Sequence, residues 1–465
     1  MKPVLLIPTL LLYLSTFQIF ITATPSPFTE IRGARSRTLN DPTKEFTAIL
    51  HKNEKRDWDK VFYSLGYNAS NAIIRPRNEL SRIFSTDTGL TIRTFDSHIR
   101  GFTLTLKRSD AVVLSNFPNI DSIEETHTVH SFVEPITRND KPNSISSKRI
   151  RPRRPPHVHT HRNPSKRTPF KLQRNAPWNL HRISTSSPPV YSKHRKPNSF
   201  DFRYPPTAGE GVDIYILDTG INVNHVDFGG RARVLYSAFD DDGEDVAGHG
   251  THIAGTTASH TYGVAKLATI LGIKVFHSLN NSTSASIING LSHAIAHHNT
   301  RKTSPDFKGS VVNLSLGIFK PSALFKQTIE DALEAGMHIA VAAGNSGTDA
   351  CGVFPAGWSR EMAVVSVGAT DEGDGRAWFS NFGGCVDVLA PGVGVVSTSN
   401  DGTTMEKQGT SVACPHVVGV IATELVSRPD LMLDPRGMKE WILSRSIPSV
   451  RTPPEGQLLL NNGFR

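Results

Sequence analysis

The chain of 465 residues is 38% hydrophobic, which supplies a large buried core, and it is too long for one domain of ordinary size. Its 51 Lys and Arg exceed its 42 Asp and Glu, and the net charge of +9 raises the question of a nucleic-acid partner. Most of the excess falls in one Pro-rich stretch instead of a folded face, so no nucleic-acid partner is expected.

The N-terminus carries Lys2, an apolar run over 4–13 and small residues before Pro25, so residues 1–23 read as a secretory signal peptide. Pro8, Ser15, Thr16 and Gln18 interrupt that run too often for a stable membrane span, and no other stretch suggests one. The expected product is exported and free of membranes, either extracellular or, as the alternative, vacuolar. Residues 44–133 follow as a second unit. Alternating patterns at 46–50 and 101–106 predict strands, 109–114 a helix and 120–124 a last strand.

Over 134–174 the composition changes. Arg149, Arg151, Arg153, Arg154, Arg162, Lys166, Arg167 and Lys171 are interleaved with Pro and His, and acids almost vanish. Such a segment cannot bury apolar surface and reads as a disordered linker. Lys148-Arg149 and Lys166-Arg167 are dibasic pairs open to a processing protease.

From 175 to 465, near-continuous apolar runs at 212–217, 270–276, 311–316, 338–343 and 363–367 predict strands covered on both faces. Between them 286–298 and 322–335 read as helices, the second closed by Gly336. The predicted class is α/β, a doubly wound parallel sheet with helices on both faces. In such sheets sites gather beyond the carboxyl ends of the strands, where Asp218, Gly317 and Asn345 fall.

Three segments carry chemistry. Val212-Asp213-Ile214-Tyr215-Ile216-Leu217-Asp218-Thr219-Gly220 is a strand ending on a carboxylate and a Gly turn. His249-Gly250-Thr251-His252 and Gly409-Thr410-Ser411-Val412-Ala413-Cys414-Pro415-His416 each open a helix, and Pro415 is tolerated in a first turn. An alcohol is a poor nucleophile, so Ser411 needs a base, His249, and the base needs a carboxylate, Asp218, to fix its tautomer. His252 reads as a buried structural histidine, and Asp213, Asp227 and Asp240 to Asp242 as surface or loop acids. Three Cys in an exported chain leave one unpaired.

In the order Asp, His, Ser these motifs resemble the subtilisin-like serine proteases. The chain is similar to their proteinase K and cerevisin branch from Asn175-Ala176-Pro177-Trp178 through Asn313-Leu314-Ser315-Leu316-Gly317 and Ala342-Ala343-Gly344-Asn345 to Leu459-Leu460-Asn461-Asn462-Gly463. Val412, Val226 and Ile253 depart from the usual Met, Pro and Cys without touching a triad side chain.

The resemblance implies a secreted serine endopeptidase working through an acyl-enzyme and made as an autoprocessed zymogen. It implies that 44–133 is the propeptide, inhibitor and folding chaperone, and that 175–465 is a monomeric catalytic domain acting on proteins and peptides. Asn345 would donate to the oxyanion beside the Ser411 N–H. Ser315, Leu316, Gly317 and Gly344 would line an open apolar pocket. Asn280 and Ser282 stand where proteinase K has a Gly-x-Gly segment, which predicts narrower distal subsites. Asn280 and Asn281, like Asn68, also begin glycosylation sequons. Cys351 and Cys385 match a disulfide of the branch, leaving Cys414 free. No cofactor is needed for the chemistry, and Asp387 matches a ligand of structural calcium. The rival readings are a catalytically silent relative that binds peptides or partners, and a cysteine nucleophile at Cys414.

Overall fold

A strand covered on both faces has no polar side, and the apolar runs become the centre of a nine-stranded sheet. Across it lie Ala232–Ser237, Thr269–Lys274, Asp213–Asp218, Ser310–Leu314, His338–Ala342, Val364–Thr370, Val388–Pro391, Leu458–Leu459 and Ile447–Pro448. Neighbours run parallel except the last pair, which is antiparallel. The structure is a computed structural model and describes residues 43–58, 60–61, 72–77, 81–86, 91–136, 159–160, 169–187, 200–239, 241–279, 282–448 and 457–464. The expected signal peptide, both dibasic pairs, Asn68, Asp240, Asn280 and Asn281 lie outside the described residues.

Side chains of a strand alternate between faces, so Asp213–Asp218 feeds two cores. Ile214 and Ile216 join Val417, Val418 and Ile421 of the helix Thr410–Ser427 and Ile253 of the helix His249–Ala258. Tyr215 and Leu217 join Ile287 and Leu291 of the helix Ser284–Arg301 and Phe325 and Ile329 of the helix Ala323–Glu334. Thr283 and Ser322 cap the last two helices by accepting from Ser286 N–H and Phe325 N–H. Gly336, at φ +94°, ends the second as its sequence position suggests. Among the described residues, Thr410–Ser427 is long and apolar enough to cross a membrane, which the sequence reading overlooked. Its surroundings are protein, since Val412 to Ala422 are all buried.

Within residues 43–125 the described residues form a separate six-stranded antiparallel sheet in the order Ala72–Arg77, Ser81–Thr86, Thr91–Asp96, Arg100–Lys107, Thr43–Leu50 and Ile120–Glu125. The four elements read from the sequence are present, with the helix at Arg108–Leu114. The three strands over 72–96 were missed, since Pro76 and interleaved charges blur their alternation. Phe46, Phe102, Leu104, Leu114 and Ile123 make their own core. This unit docks on the two helices of the Tyr215 face. The Glu124 carboxylate accepts from Ala323 N–H at 3.0 Å and from the Ser322 hydroxyl, capping that helix start with a negative charge. Ile99 N–H donates to Ser292 Oγ at 2.7 Å.

The linker expectation needs correction at its end. Lys171–Ala176 is a strand paired with Phe200–Tyr204 and with His159–Thr160. It is held because Gln173 is buried and its amide donates to Thr261 O at 2.8 Å.

Cys351 and Cys385, separated by 34 positions, are joined by a disulfide, while Cys414 is buried and free. Closing a loop of this size destabilises the unfolded chain by about 3–4 kcal/mol in the chain-entropy account. Replacing both Cys351 and Cys385 with Ser is therefore expected to lower the unfolding free energy by about 3 kcal/mol. An unchanged melting temperature in calorimetry would contradict this.

Candidate active site

Three element ends converge. The strand Asp213–Asp218 stops on Asp218, whose Oδ1 accepts from Thr219 N–H at 2.7 Å before the chain turns at Gly220. His249 opens its helix, with Gly248 at φ +73° as N-cap. Gly250 lets that helix approach, because a Cβ there would lie 2.1 Å from Gly220 O. Ser411 is in the first turn of Thr410–Ser427, after Gly409.

His249 Nδ1 lies 2.7 Å from Asp218 Oδ1, and His249 Nε2 lies 3.1 Å from Ser411 Oγ. A carboxylate only accepts, so Nδ1 carries the hydrogen and Nε2 turns its lone pair to the hydroxyl. All three side chains are buried.

Asp245, which no sequence motif marked, braces this arrangement from below. One oxygen accepts from the Thr219 hydroxyl and Gly248 N–H, both at 2.7 Å; the other accepts from Thr251 N–H and hydroxyl at 2.8 and 2.7 Å. The Ser315 hydroxyl donates to Ser411 O at 2.8 Å, so its side chain props the helix start instead of lining a pocket.

Asn345 follows the strand His338–Ala342. Its Oδ1 accepts from Thr410 N–H at 2.9 Å and from the Thr410 hydroxyl at 2.8 Å, and Gly344 N–H donates to that hydroxyl at 3.1 Å. Because a backbone N–H must meet an oxygen, the amide orientation is fixed and Nδ2 points the other way. Nδ2 is buried without a hydrogen bond of good geometry and faces the Glu134 carboxyl. Burial raises the Glu134 pKa, and Asn345 opposes it.

His252 is a structural histidine, as its sequence context suggests. Its Nε2 sits 2.9 Å from Val395 O, and burial pushes its pKa down to about 3. Cys414 is fully buried, and that burial raises its thiol pKa, which disfavours the thiolate a cysteine nucleophile needs. Asp213 is not the surface acid expected: it is buried and pairs with Arg301 at 2.8 Å.

The cleft is occupied by the chain itself. Ser284 N–H donates to His127 O at 2.8 Å and Val129 N–H to Ser282 O at 3.1 Å. His130–Ser131 then pairs antiparallel with Leu316–Gly317. Ser411 N–H donates to Phe132 O at 3.1 Å, and Glu134 N–H donates to Gln408 O at 2.8 Å. The Phe132 side chain is buried against Gly317, where a Cβ would lie 2.7 Å from a ring carbon.

Residues 209–463, more than half of the chain, match the model of the subtilase family. The chain belongs to the subtilase family. It is 39% identical to Subtilisin-like protease 3 of Saccharomyces cerevisiae over 60% of this chain and 59% of that one. It is 41% identical to cerevisin of the same yeast over 56% and 41%, and 40% identical to proteinase T of Parengyodontium album over 63% and 94%. It thus spans about half the length of several curated relatives. Among solved structures, a cold adapted subtilisin-like serine proteinase aligns with TM-score 0.54 and 35% identity, over 62% of this chain and 98% of that one.

Two expectations for this subtilase change. Ser282 does not narrow the distal subsites: its hydroxyl turns back onto Val275 O at 2.5 Å and its backbone meets the occupying segment. Asp387 is not free for calcium. Its carboxylate lies 2.9 Å from Lys439 Nζ, which also donates to Ser359 O at 2.6 Å and Val364 O at 2.9 Å. One carboxylate, one loop carbonyl and one strand-end carbonyl form the hard-oxygen set calcium prefers, and here a tethered ammonium already takes it. The residues present do not fit a calcium ion there. Among the described residues no group of three or more His, Cys, Asp or Glu is placed to hold a metal.

Lys439→Ala leaves Asp387 mostly buried without its partner and is expected to cost about 3 kcal/mol. Millimolar calcium should raise the melting temperature of that variant more than that of the wild type. An equal calcium response in both proteins would contradict the assignment.

Proposed function

We propose that this subtilase is a serine endopeptidase made as a self-inhibited precursor, with Asp218, His249 and Ser411 carrying the chemistry. The unbroken line from Asp218 through His249 to Ser411, with the Ser411 N–H on a peptide carbonyl, carries this reading. His249 Nε2 takes the Ser411 proton as Oγ attacks the carbonyl carbon, and Asp218 stabilises the imidazolium. The oxyanion forms where Ser411 N–H already points, at the positive end of a long helix, with Asn345 as second donor. His249 then protonates the leaving amine, and water releases the acyl group by the same path.

Residues 44–133 act as the inhibitor, their last residues lying where a substrate lies. Export through residues 1–23, to the extracellular space or a vacuole, fits a disulfide-bonded chain. The primary pocket, with Gly317 at its wall, favours apolar and aromatic residues.

Ser411→Ala is expected to lower hydrolysis of a denatured protein by about 10⁶-fold, and Asn345→Ala to lower kcat by about 10²–10³-fold. A fluorophosphonate should label the wild type at Ser411 alone. Undiminished hydrolysis in purified Ser411→Ala would remove the assignment, and a correctly folded wild type that neither hydrolyses nor labels would favour the silent relative. For specificity, Gly317→Ala should lower kcat/KM for Phe at the cleavage site more than for Ala. A uniform loss across a peptide library would count against this pocket.

A further inference from the structure

We propose that the first bond this precursor cuts in itself is Phe132–Val133, roughly forty residues before Asn175, where the resemblance to the mature enzymes begins. This rests on the serine endopeptidase reading. The bond is selected by register. Upstream, Val129 N–H is held by Ser282 O, and Ser131 and His130 pair with Leu316 and Gly317. Downstream, Glu134 pairs with Gln408, whose amide also donates to Pro135 O at 2.8 Å. Held on both sides, the chain presents one carbonyl, that of Phe132, to the Ser411 N–H.

A slip by one residue would break both ladders and turn Phe132 out of its pocket, since neighbouring side chains in an extended segment point to opposite sides. Gly409 is shaped for this carbonyl: a Cβ there would lie 2.2 Å from Phe132 O.

The step balances as a hydrolysis. Ser411 Oγ bonds to the Phe132 carbonyl carbon while His249 Nε2 takes the hydroxyl proton. The carbon–nitrogen bond to Val133 breaks, and His249 gives that proton to the Val133 nitrogen. Water then attacks the acyl-enzyme, losing a proton to His249, which returns it to Ser411. The products are a Phe132 carboxylate and a Val133 amine. Residues 127–132 keep their ladder after the cut, so the freed unit remains an inhibitor. The Val133 end carries the whole basic stretch on the catalytic domain, and loss of that arm is a later, separate event.

The test follows the full-length precursor by intact mass and N-terminal sequencing, with fluorophosphonate labelling and hydrolysis of a denatured protein measured alongside. The earliest new N-terminus should be Val133, matched by a fragment ending at Phe132, and neither should form in Ser411→Ala. Phe132→Asp should slow that cut at least tenfold, while Phe132→Leu is cut at the same bond. Replacing Lys148, Arg149, Lys166 and Arg167 with Ala together should leave the first cut unchanged. A wild type that labels and hydrolyses but first opens elsewhere, at a dibasic pair or at Asn175, overturns the proposal and leaves the endopeptidase reading standing. A wild type that neither labels, hydrolyses nor cuts itself overturns both.

Discussion

A buried carboxylate next to a buried imidazole is the constraint on which the rest of this structure depends. Removing both from water is costly unless each remaining polar position is met. Asp218 Oδ1 takes both Thr219 N–H and His249 Nδ1, and the turn carrying Thr219 is itself held by Asp245. Asp245 also holds Gly248 and Thr251, so one unmarked acid ties the strand end to the helix start. The glycines follow from the same demand. The His249 helix reaches the strand only because position 250 has no side chain.

Ser411 is placed by a second polar cluster. Thr410 binds Asn345 and Gly344 through backbone and hydroxyl, while Ser315 holds the Ser411 carbonyl from the neighbouring strand end. The strand ends and helix starts therefore set the separation of Ser411 and Asn345. The occupying segment uses the same preformed edges. It adds a strand between Ser282–Ser284 and Leu316–Gly317, a binding mode in which backbone supplies affinity and pockets supply selectivity. Because the segment is tethered, its effective concentration exceeds that of a free peptide, so occupancy of the cleft needs little intrinsic affinity.

What the sequence reveals and what it hides divides along physical lines. Asp218, His249, Ser411 and Asn345 were legible because each stands at an element end inside a run of small residues needed for close approach. The central strands were legible from uninterrupted apolar runs, and the end of the helix Ala323–Glu334 from Gly336, whereas the cap at Thr283 was not read and its helix starts two residues before the expected 286. Asp245, Thr410 and Phe132 were not legible, since their roles depend on partners 3 to 279 positions away, such as Gly248 and Ser411. Ser282 shows a related limit: a polar residue replacing a glycine predicts a fuller cleft only if its side chain points there, and the hydrogen bond to Val275 O turns it back.

Lys439 is the sharpest instance, because a family expectation met a covalent substitute. A bound ion stabilises a fold only while its free concentration exceeds its dissociation constant. A tethered ammonium is present at every concentration, yet it offers only three donors and must itself be desolvated. Its three partners here, Asp387 and the carbonyls of Ser359 and Val364, use all three. Asp387 in turn accepts Ser366 N–H, tying the helix Pro435–Arg445 to the strand Val364–Thr370 and to the loop after Trp358. The contact thus supplies a permanent link between the C-terminal helix and the sheet in exchange for the ion-dependent one that the resemblance implied. The same exchange gives Lys439 a structural part although it lies in none of the segments that mark the family.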